Sequence, residues 1–367
     1  MTSGSSNNLF AHGGNLAEVR ERYALGDQPL LDFSANINPL GMPESVRSAI
    51  LSSIASLLHY PDTECRRLRQ KLAERHRVGT ENVIVGNGST ELMFLVARAL
   101  APKDACVIDP TFTEYRHAAE HTGAKCVSLS ASACYSFRVT GDLLGRAAES
   151  ARMVFVCNPN NPTGAVVPGA EILAAASGFP HTVFVMDEAF CNFLPNEAEV
   201  SVASEAATTR NLIVLRSLTK FYAIPGLRLG YLVAHEGNVR KMLRMKEPWT
   251  VNALAEAAGC AALDDSEFAR RTLECVSLWK TQLSEALREI RGLQSFPPSV
   301  NFILARITKD HVCVEALQRQ LLTRGIMIRN CSNFPGLDPT YFRVAVRSPK
   351  ENARLIEALR ETMEVGP

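Results

Sequence analysis

The sequence lacks the features that would place the protein in a membrane, in a secretory pathway or on nucleic acid. No apolar run approaches the ~20 residues that a membrane helix needs. Residues 1–8 are rich in Ser, Gly and Asn and lack the basic and apolar regions of a signal peptide. The formal net charge is +1, so no global field favours nucleic acid or an anionic membrane. We therefore expect a cytoplasmic protein with neither partner.

The sequence also lacks any Cys-x-x-Cys pair, although it contains ten cysteines. Paired spacing of that kind marks most structural zinc sites. Scattered cysteines in a cytoplasmic protein are usually reduced and buried, where they behave as small apolar side chains. We therefore expect reduced thiols and no metal site.

What the sequence does contain is an alternation of strand-like and helix-like segments through its middle. Short apolar runs that end in Gly, Pro, Asn or Asp predict strands covered on both faces. These runs are 82–85, 105–108, 125–129, 153–157, 182–186, 211–216 and 229–233. Helical patterns lie between several of them, at 91–100, 114–122 and 170–177. The alternation predicts an α/β fold with a mostly parallel sheet.

The pattern changes after about Asn252. A long helical stretch in more than one piece is predicted over 253–291, and a closing helix over 350–363. Between them, strands at 301–307 and 341–346 flank a helix at 314–323, which is typical of a smaller α+β domain. Near the N-terminus, 43–58 and 64–77 each predict one helix. We predict an N-terminal arm that is part of the small domain (1–40), a large domain (41–252) and a small C-terminal domain (253–367).

The run Ser-Leu-Thr-Lys at 217–220 is the strongest chemical signal. It follows directly on a predicted strand, and Arg228 comes eight residues after Lys220. The carboxyl ends of strands are where α/β folds bind ligands. A phosphate needs hydroxyl donors and a guanidinium group, and an aldehyde needs an amine. The alternative is a surface lysine beside a loop.

Three further motifs follow predicted strands. Asp187, in Met-Asp-Glu-Ala, would be a metal ligand, a helix cap or the partner of a pyridinium nitrogen. Asn-Pro-Asn-Asn-Pro-Thr-Gly at 158–164 is typical of a turn and would also line a cleft. Gly-Asn-Gly-Ser-Thr-Glu at 86–91 opens a helix whose amides suit a phosphate. Glu91 replaces the third glycine of the dinucleotide-binding pattern.

These four motifs, in this order, resemble the fold-type I enzymes of pyridoxal phosphate (PLP), the aspartate-aminotransferase-like family, over nearly the whole chain. The resemblance implies the corresponding α/β fold, with PLP as cofactor bound covalently through the amine of Lys220. It implies that Asp187 pairs with the ring nitrogen and that Asn161 hydrogen-bonds the phenolic oxygen. The implied phosphate ligands are Ser89, Thr90, Ser217, Thr219 and Arg228.

The same resemblance gives roles to two tyrosines. Tyr115 would stack on the cofactor ring, and Tyr60, in Tyr-Pro-Asp, would reach the cofactor phosphate of a neighbouring subunit. The second role implies a homodimer. Without the resemblance, a place in the apolar core is the better interpretation of each ring.

Within the family, several segments resemble the branch that decarboxylates a phosphorylated amino acid. The segments are 12–15, 31–41, 216–233, 248–255, 335–338 and 341–347. They imply that His12 and Asn36 bind the substrate phosphate, that Arg343 binds its carboxylate and that Arg329 binds an anionic group. Asn161 would also contact the substrate. The alternative for His12 is that it is a solvent-exposed histidine near the N-terminus with no role in binding. Phe190 stands where aminotransferase relatives commonly have Tyr, which mildly favours the decarboxylase.

Two other functions remain open, and a third is disfavoured. A transaminase of a phosphorylated amine such as histidinol phosphate shares the fold, the cofactor and the anion-binding residues. A decarboxylase of another phosphorylated or phosphono amino acid, such as serine phosphate, would share almost everything. A DNA-binding regulator with this fold would need an added DNA-binding module, and we expect none because the substrate-arm motif already begins at His12.

Overall fold

The apolar runs in the middle of the chain form one seven-stranded sheet in the computed structural model, which describes residues 13–365. The other strands form two smaller sheets, one of four strands and one of two. The strands are β1 (Leu31–Asp32), β2 (Val83–Gly86), β3 (Asp104–Asp109), β4 (Lys125–Ser130), β5 (Met153–Cys157), β6 (Val183–Asp187), β7 (Leu212–Ser217), β8 (Gly230–Ala234), β9 (Leu293–Ser295), β10 (Phe302–Ile307), β11 (Ile326–Met327), β12 (Arg329–Asn330) and β13 (Tyr341–Ala345).

The large sheet has the strand order β2-β8-β7-β6-β5-β3-β4. Only β8 is reversed within it, because β8 is antiparallel to both of its neighbours and the pairs from β7 to β4 are parallel. Cys157 is aligned with Asp187, and Asp187 with Leu215. The carboxyl ends of β5, β6 and β7 therefore lie side by side. The predicted α/β fold with a mostly parallel sheet is confirmed.

Helices cover both faces of the large sheet. One face packs on α4, α5 and α10, and the other on α3, α6, α7, α11 and part of α12. The helices are α1 (Leu16–Arg22), α2 (Glu44–Ser52), α3 (Arg66–His76), α4 (Gly88–Leu100), α5 (Glu114–Glu120), α6 (Gly141–Ser150), α7 (Gly169–Gly178), α8 (Glu197–Val200), α9 (Ala203–Ala206), α10 (Glu236–Leu243), α11 (Ala253–Asp264), α12 (Ser266–Arg288), α13 (Val314–Thr323) and α14 (Pro349–Val365). Within residues 13–365, none has both the length and the apolar composition that crossing a membrane requires.

The C-terminal part of the chain builds a second core around a small antiparallel sheet. That sheet has the order β12-β13-β10-β9, and α12, α13 and α14 pack on it. The N-terminal strand β1 pairs in parallel with β11, so residues far apart in sequence share this layer. In contrast, α11 packs on α2 and α3. The division at residues 40 and 252 stays a prediction.

The prediction of one helix over 43–58 is wrong. The α-helix spans only Glu44–Ser52, and a separate 3₁₀-helix follows over Ile54–Leu58. The hydroxyl of Ser56 donates to the carbonyl oxygen of Ser53 at 2.6 Å. Serine side chains that bond to nearby backbone carbonyls compete with helical hydrogen bonding, which accounts for the break between the two segments.

Candidate active site

A cavity of about 640 Å³ opens at the carboxyl edge of the large sheet, where the small sheet and the N-terminal segment meet it. We call it the active-site cavity. Side chains reach it from the first turn of α4, from the loops after β3, β5, β6 and β7, from β12, β13 and the segment between them, and from residues 32–37. The predicted site residues that line it are Asn36, Thr90, Asn161, Lys220, Arg228, Arg329 and Arg343.

Lys220 lies three residues beyond β7, and its side chain is only partly exposed. Its Nζ donates a hydrogen bond of 3.0 Å to Ser217 Oγ. Burial lowers the pKa of Lys220 below its ordinary value of 10.5, and the negative charge of Asp187 opposes part of that effect. A lower pKa leaves more of the amine neutral at a given pH, and the neutral amine is the form that attacks an aldehyde.

Asp187 ends β6 and is buried. Its Oδ2 accepts a hydrogen bond of 2.7 Å from the Tyr115 hydroxyl, and its Oδ1 accepts one of 3.0 Å from the backbone N–H of Ala189. Burial raises the pKa of Asp187, whereas the Tyr115 hydrogen bond and the Lys220 charge lower it. A carboxylate held from two sides has a fixed orientation, which suits a partner for a protonated ring nitrogen.

The first turn of α4 presents bare backbone, because two glycines leave no side chain in the way. Gly88 has φ +84°, and a Cβ there would lie 2.7 Å from an η-nitrogen of Arg228. A Cβ at Gly230 would lie 2.4 Å from the backbone nitrogen of Ser89. The first N–H groups of a helix have no intrahelical acceptor and bind anions well. Together with the guanidinium group of Arg228 they form a surface suited to a phosphate.

Hydroxyl groups surround the same turn. Thr90 lies in α4 and lines the active-site cavity. Ser217 is aligned with Gly230 across β7 and β8, which brings it beside the α4 turn. The hydroxyl oxygens of Ser217 and Thr219 are 2.8 Å apart. The structure therefore brings together all five residues that the resemblance implies as phosphate ligands.

Arg343 and Arg329 face each other across β13 and β12. Arg343 is buried, donates to the carbonyl oxygen of Ser34 at 2.7 Å and also donates to Asn161 Oδ1. Burial lowers the pKa of Arg343 to about 10 and also lowers that of Arg329. Arg329 donates to Asn333 Oδ1 at 2.7 Å. Both side chains stay charged at neutral pH and can bind an anion through two N–H groups.

Asn36 is 5% exposed, and neither atom of its side-chain amide has a hydrogen-bond partner within residues 13–365. A buried amide without a partner is costly, so its position on the cavity wall indicates a polar ligand. The N-terminal segment closes this side, since Gly14 donates its backbone N–H to Ser34 Oγ at 2.9 Å. His12 lies outside the described residues.

Six of the predicted site residues within 13–365 do not line the active-site cavity itself: Ser89, Asp187, Ser217, Thr219, Tyr60 and Tyr115. Tyr60 is 83% exposed and lies 5.1 Å from Trp249, measured between ring centroids. Tyr115 is fully buried beneath Asp187, with its ring stacked on that of Phe155. The roles given to both tyrosines stay predictions. Phe112 reaches the cavity wall instead.

Sequence reasoning missed several residues of the cavity wall, among them Ser34 and Phe334. Ser34 belongs to the run 31–41 that carries the resemblance, so its place in that run was a usable signal. Phe334 lies 5.1 Å from the guanidinium carbon of Arg329, measured to its ring centroid. It lies in an irregular segment between β12 and β13, where periodicity gives no information.

The residues present fit pyridoxal phosphate. The cofactor needs an amine for its aldehyde, a carboxylate for its ring nitrogen and donors for its phosphate. Lys220, Asp187 and the α4 turn supply these at one edge of the sheet. The unpartnered amide of Asn36 and Nε of Arg343 leave polar atoms for a second ligand beside it.

Comparisons with known proteins agree on the family. The profile of the aminotransferase class I and II family matches residues 28–359. The chain is 40% identical over 357 residues to a threonine-phosphate decarboxylase of Salmonella typhimurium, covering 96% of each chain. It is 35% identical over 361 residues to histidinol-phosphate aminotransferase 2 of Ralstonia nicotianae, covering 96% of this chain and 94% of that one.

Two other comparisons extend this picture. The chain is 32% identical to the adenosylcobalamin biosynthesis bifunctional protein CobDQ of Leptospira interrogans. The match includes 96% of this chain but only 41% of that longer protein. Among solved structures, it superposes with a TM-score of 0.86 on a histidinol-phosphate aminotransferase from Sinorhizobium meliloti in complex with pyridoxal-5'-phosphate. That pair is 22% identical over 100% of this chain and 99% of the other, which is evidence of the fold alone.

Proposed function

The chain belongs to the aminotransferase class I and II family, and from that premise we propose that it is a PLP-dependent decarboxylase of L-threonine O-3-phosphate. The product would be (R)-1-amino-2-propanol O-phosphate, a component for cobalamin biosynthesis, in keeping with the bifunctional relative. One observation carries the proposal beyond the family. The amine of Lys220 shares one cavity with two buried guanidinium groups, which suits a substrate with an amine and two anionic groups.

The cofactor would be held from three sides. Lys220 would bind its aldehyde carbon, Asp187 its ring nitrogen and Asn161 its phenolic oxygen. Ser89, Thr90, Ser217, Thr219 and Arg228 would bind its phosphate. The fixed hydrogen bonds of Asp187 support this assignment, because they keep the carboxylate oriented before the cofactor arrives.

The substrate would be oriented mainly by the small sheet. Arg343 would bind the carboxylate, while Arg329, Asn36 and His12 would bind the phosphate. Bound PLP supplies a carbonyl for the substrate amine and a ring that accepts the electron pair of the bond that breaks. Arg343 would therefore decide which bond at Cα lies perpendicular to that ring. After carbon dioxide leaves, Lys220 Nζ would donate a proton to Cα.

Phe190 supports decarboxylation over transamination. Its ring lines the cavity, and its centroid lies 5.9 Å from Lys220 Nζ. A phenylalanine has no hydroxyl with which to bond the phenolic oxygen, which leaves Asn161 to make that contact. Aminotransferase relatives commonly have a tyrosine at this position, so the phenylalanine fits the decarboxylase branch that the sequence resembles.

We propose that the enzyme acts as a homodimer. Exposed apolar side chains cluster around the 3₁₀-helix Ile54–Leu58 and extend through Tyr60 to Trp249. A contiguous apolar surface of this kind favours contact with another protein surface. Because Tyr60 is exposed and does not line its own active-site cavity, its proposed contact with a cofactor phosphate requires a second subunit.

The test is carbon dioxide release by purified, PLP-loaded protein with L-threonine phosphate and no keto acid. We expect steady turnover, and we expect Lys220→Ala to abolish both the turnover and the visible absorbance of the bound cofactor. If carbon dioxide is not released, but an amino donor converts the cofactor to its amine form and 2-oxoglutarate restores it, the enzyme is a transaminase.

Serine phosphate and a phosphono analogue should be compared in the same assay. Serine phosphate lacks one methyl group, which changes kcat/KM by roughly 10–200-fold in known pockets. We expect threonine phosphate to have the higher kcat/KM. A higher value for either competitor would reassign the substrate without changing the reaction.

A further inference from the structure

A fully buried ion pair lies directly behind the proposed cofactor site. Glu188 and Arg216 are each 0% exposed, and Arg216 Nη1 lies 2.7 Å from Glu188 Oε2. Glu188 follows Asp187 in sequence, and Arg216 precedes Ser217. Successive side chains of a strand point to opposite faces of the sheet. This pair therefore lies on the opposite face from its chain neighbours Asp187 and Ser217, which are two proposed cofactor ligands.

The pair joins the ends of β6 and β7. Glu188 donates its backbone N–H to Leu215 O at 2.8 Å, beside the side-chain contact to Arg216. The carboxylate of Glu188 also accepts hydrogen bonds from Ser201 Oγ at 2.6 Å and from the backbone N–H of Val202 at 2.9 Å. Both carboxylate oxygens are thus held, which leaves Glu188 little freedom to move.

Arg216 is surrounded by further ionisable groups on this reverse side. It also pairs with Glu197, which is partly exposed and pairs in turn with Arg75. The hydroxyl of Tyr231 and Nε2 of His76 are 2.8 Å apart. Burial, followed by the charge of Arg216, lowers the pKa of His76 to about 3, so His76 is neutral at physiological pH. Arg216 thus has two carboxylate partners. Glu188 is fully buried, and Glu197 is partly exposed.

On the cofactor side, the geometry depends on the same backbone. Asp187 is oriented by the N–H of Ala189, one residue past Glu188. Lys220 Nζ is held by the hydroxyl of Ser217, one residue past Arg216. A shift between β6 and β7 would change the separation of the Asp187 and Lys220 charges, and their interaction depends on that separation.

We propose that Glu188 is a positioning residue, which through Arg216 sets the spacing between Asp187 and Lys220. Glu188 does not touch substrate or cofactor in this assignment. The inference rests on the proposed PLP function, because its consequence is a change in the protonation of the Lys220–cofactor adduct. An ion pair that served only folding could be replaced without altering that protonation.

The test uses PLP-loaded Glu188→Gln and follows the visible absorbance of the cofactor as a function of pH. We expect the titration midpoint to shift by about half a pH unit or more, and kcat to fall roughly tenfold while KM changes less than about twofold. Glu197→Gln is the matched control, because it removes the other carboxylate from Arg216. We expect its midpoint to equal that of the wild type.

A second variant separates positioning from folding. Glu188→Gln combined with Arg216→Met removes both charges, so no unpaired charge remains buried. We expect this double variant to unfold near the wild-type temperature and still to show the shifted midpoint. A wild-type midpoint in the folded double variant would overturn the positioning role. A wild-type protein that binds no PLP would instead overturn the proposed function and this inference with it.

Discussion

At the scale of single residues, burial decides the protonation of the amine that the mechanism needs. Lys220 has a pKa lowered first by burial and partly restored by Asp187. Because the neutral amine attacks the aldehyde, the rate of covalent capture should rise with pH and level off above the lowered pKa. For an exposed lysine, with its ordinary pKa of 10.5, the capture rate would level off only near pH 10.5.

We predict that apoprotein mixed with PLP shows this shifted dependence. Stopped-flow absorbance at a series of pH values would give the midpoint of the capture rate, which we expect to lie below 10.5. Asp187→Asn removes the charge that favours protonated Lys220, so its midpoint should be lower still. A wild-type midpoint at or above 10.5 would show that the neighbouring charge, and not burial, dominates at Lys220.

Arg343 gives the second prediction at this scale. Arg343→Ala should raise KM strongly and lower kcat, because carboxylate placement sets the angle of the bond that breaks. We expect kcat/KM to fall roughly a hundredfold, or about 2.7 kcal/mol. Arg347→Ala is a suitable control, since Arg347 pairs with Glu351 at 2.8 Å and does not line the cavity. Steady-state kinetics that are equal for the two variants would remove Arg343 from the substrate site.

The residues that sequence reasoning found are those inside short motifs. Lys220, Arg228 and Asn161 lie in such motifs, and the structure places them in one cavity. The hydrogen bond from Tyr115 to Asp187 joins residues 72 positions apart, and the ion pair of Glu188 and Arg216 spans 28. Contacts of that kind are created by strand order, which local sequence patterns do not specify.

At the scale of elements, the buried strands were the most predictable part of the fold. The predicted strand 153–157 matches β5 at both ends, because a continuous apolar run between polar neighbours has clear limits. The two-residue strands β1 and β11 were missed. They pair with each other across almost 300 positions of sequence, and two residues are too few to show a period.

The glycine at the start of β8 gives a prediction for an element. A Cβ at Gly230 would meet backbone atoms of Ser89, Gly88 and Arg216 at 2.4–2.9 Å, and backbone cannot rotate away. Gly230→Ala should push α4 from β8, destabilise the fold by about 1–3 kcal/mol and weaken PLP binding. Gly226→Ala is the control, because its added Cβ has no heavy atom within 4 Å.

Thermal unfolding and a PLP titration of both variants would check this. We expect Gly226→Ala to match the wild type in both measurements and Gly230→Ala to lose both stability and cofactor affinity. Wild-type PLP affinity in Gly230→Ala would mean that the α4 turn does not bind the phosphate.

At the scale of the whole molecule, the active-site cavity depends on three separate parts of the chain. The large sheet supplies Lys220, the small sheet supplies Arg343 and the N-terminal segment supplies Asn36. Sequence periodicity predicted the large α/β part and the smaller α+β part of the chain, but not how the two contact each other. The resemblance to a known family supplied that arrangement, because it carries the three-dimensional neighbourhood along with the motifs.

The proposed homodimer belongs to this scale. Leu58 is 84% exposed within the apolar cluster, and burying one such side chain contributes about 1.5–3 kcal/mol. Leu58→Asp should therefore produce a monomer in sedimentation velocity and weaken PLP binding. Leu278→Asp changes another exposed leucine, 57% exposed on α12, and should leave the dimer intact. A dimeric Leu58→Asp variant would place the interface elsewhere.

A mixing experiment tests whether the subunits share their sites. Lys220→Ala and Tyr60→Ala should each be impaired alone. If Tyr60 completes the neighbouring site, a mixed dimer has one site with both defects and one with neither. After subunit exchange at equal amounts, half of the dimers are mixed, so activity should recover to about a quarter of the wild-type value. Activity no higher than the average of the two separate variants would mean that Tyr60 does not act in its neighbour's site.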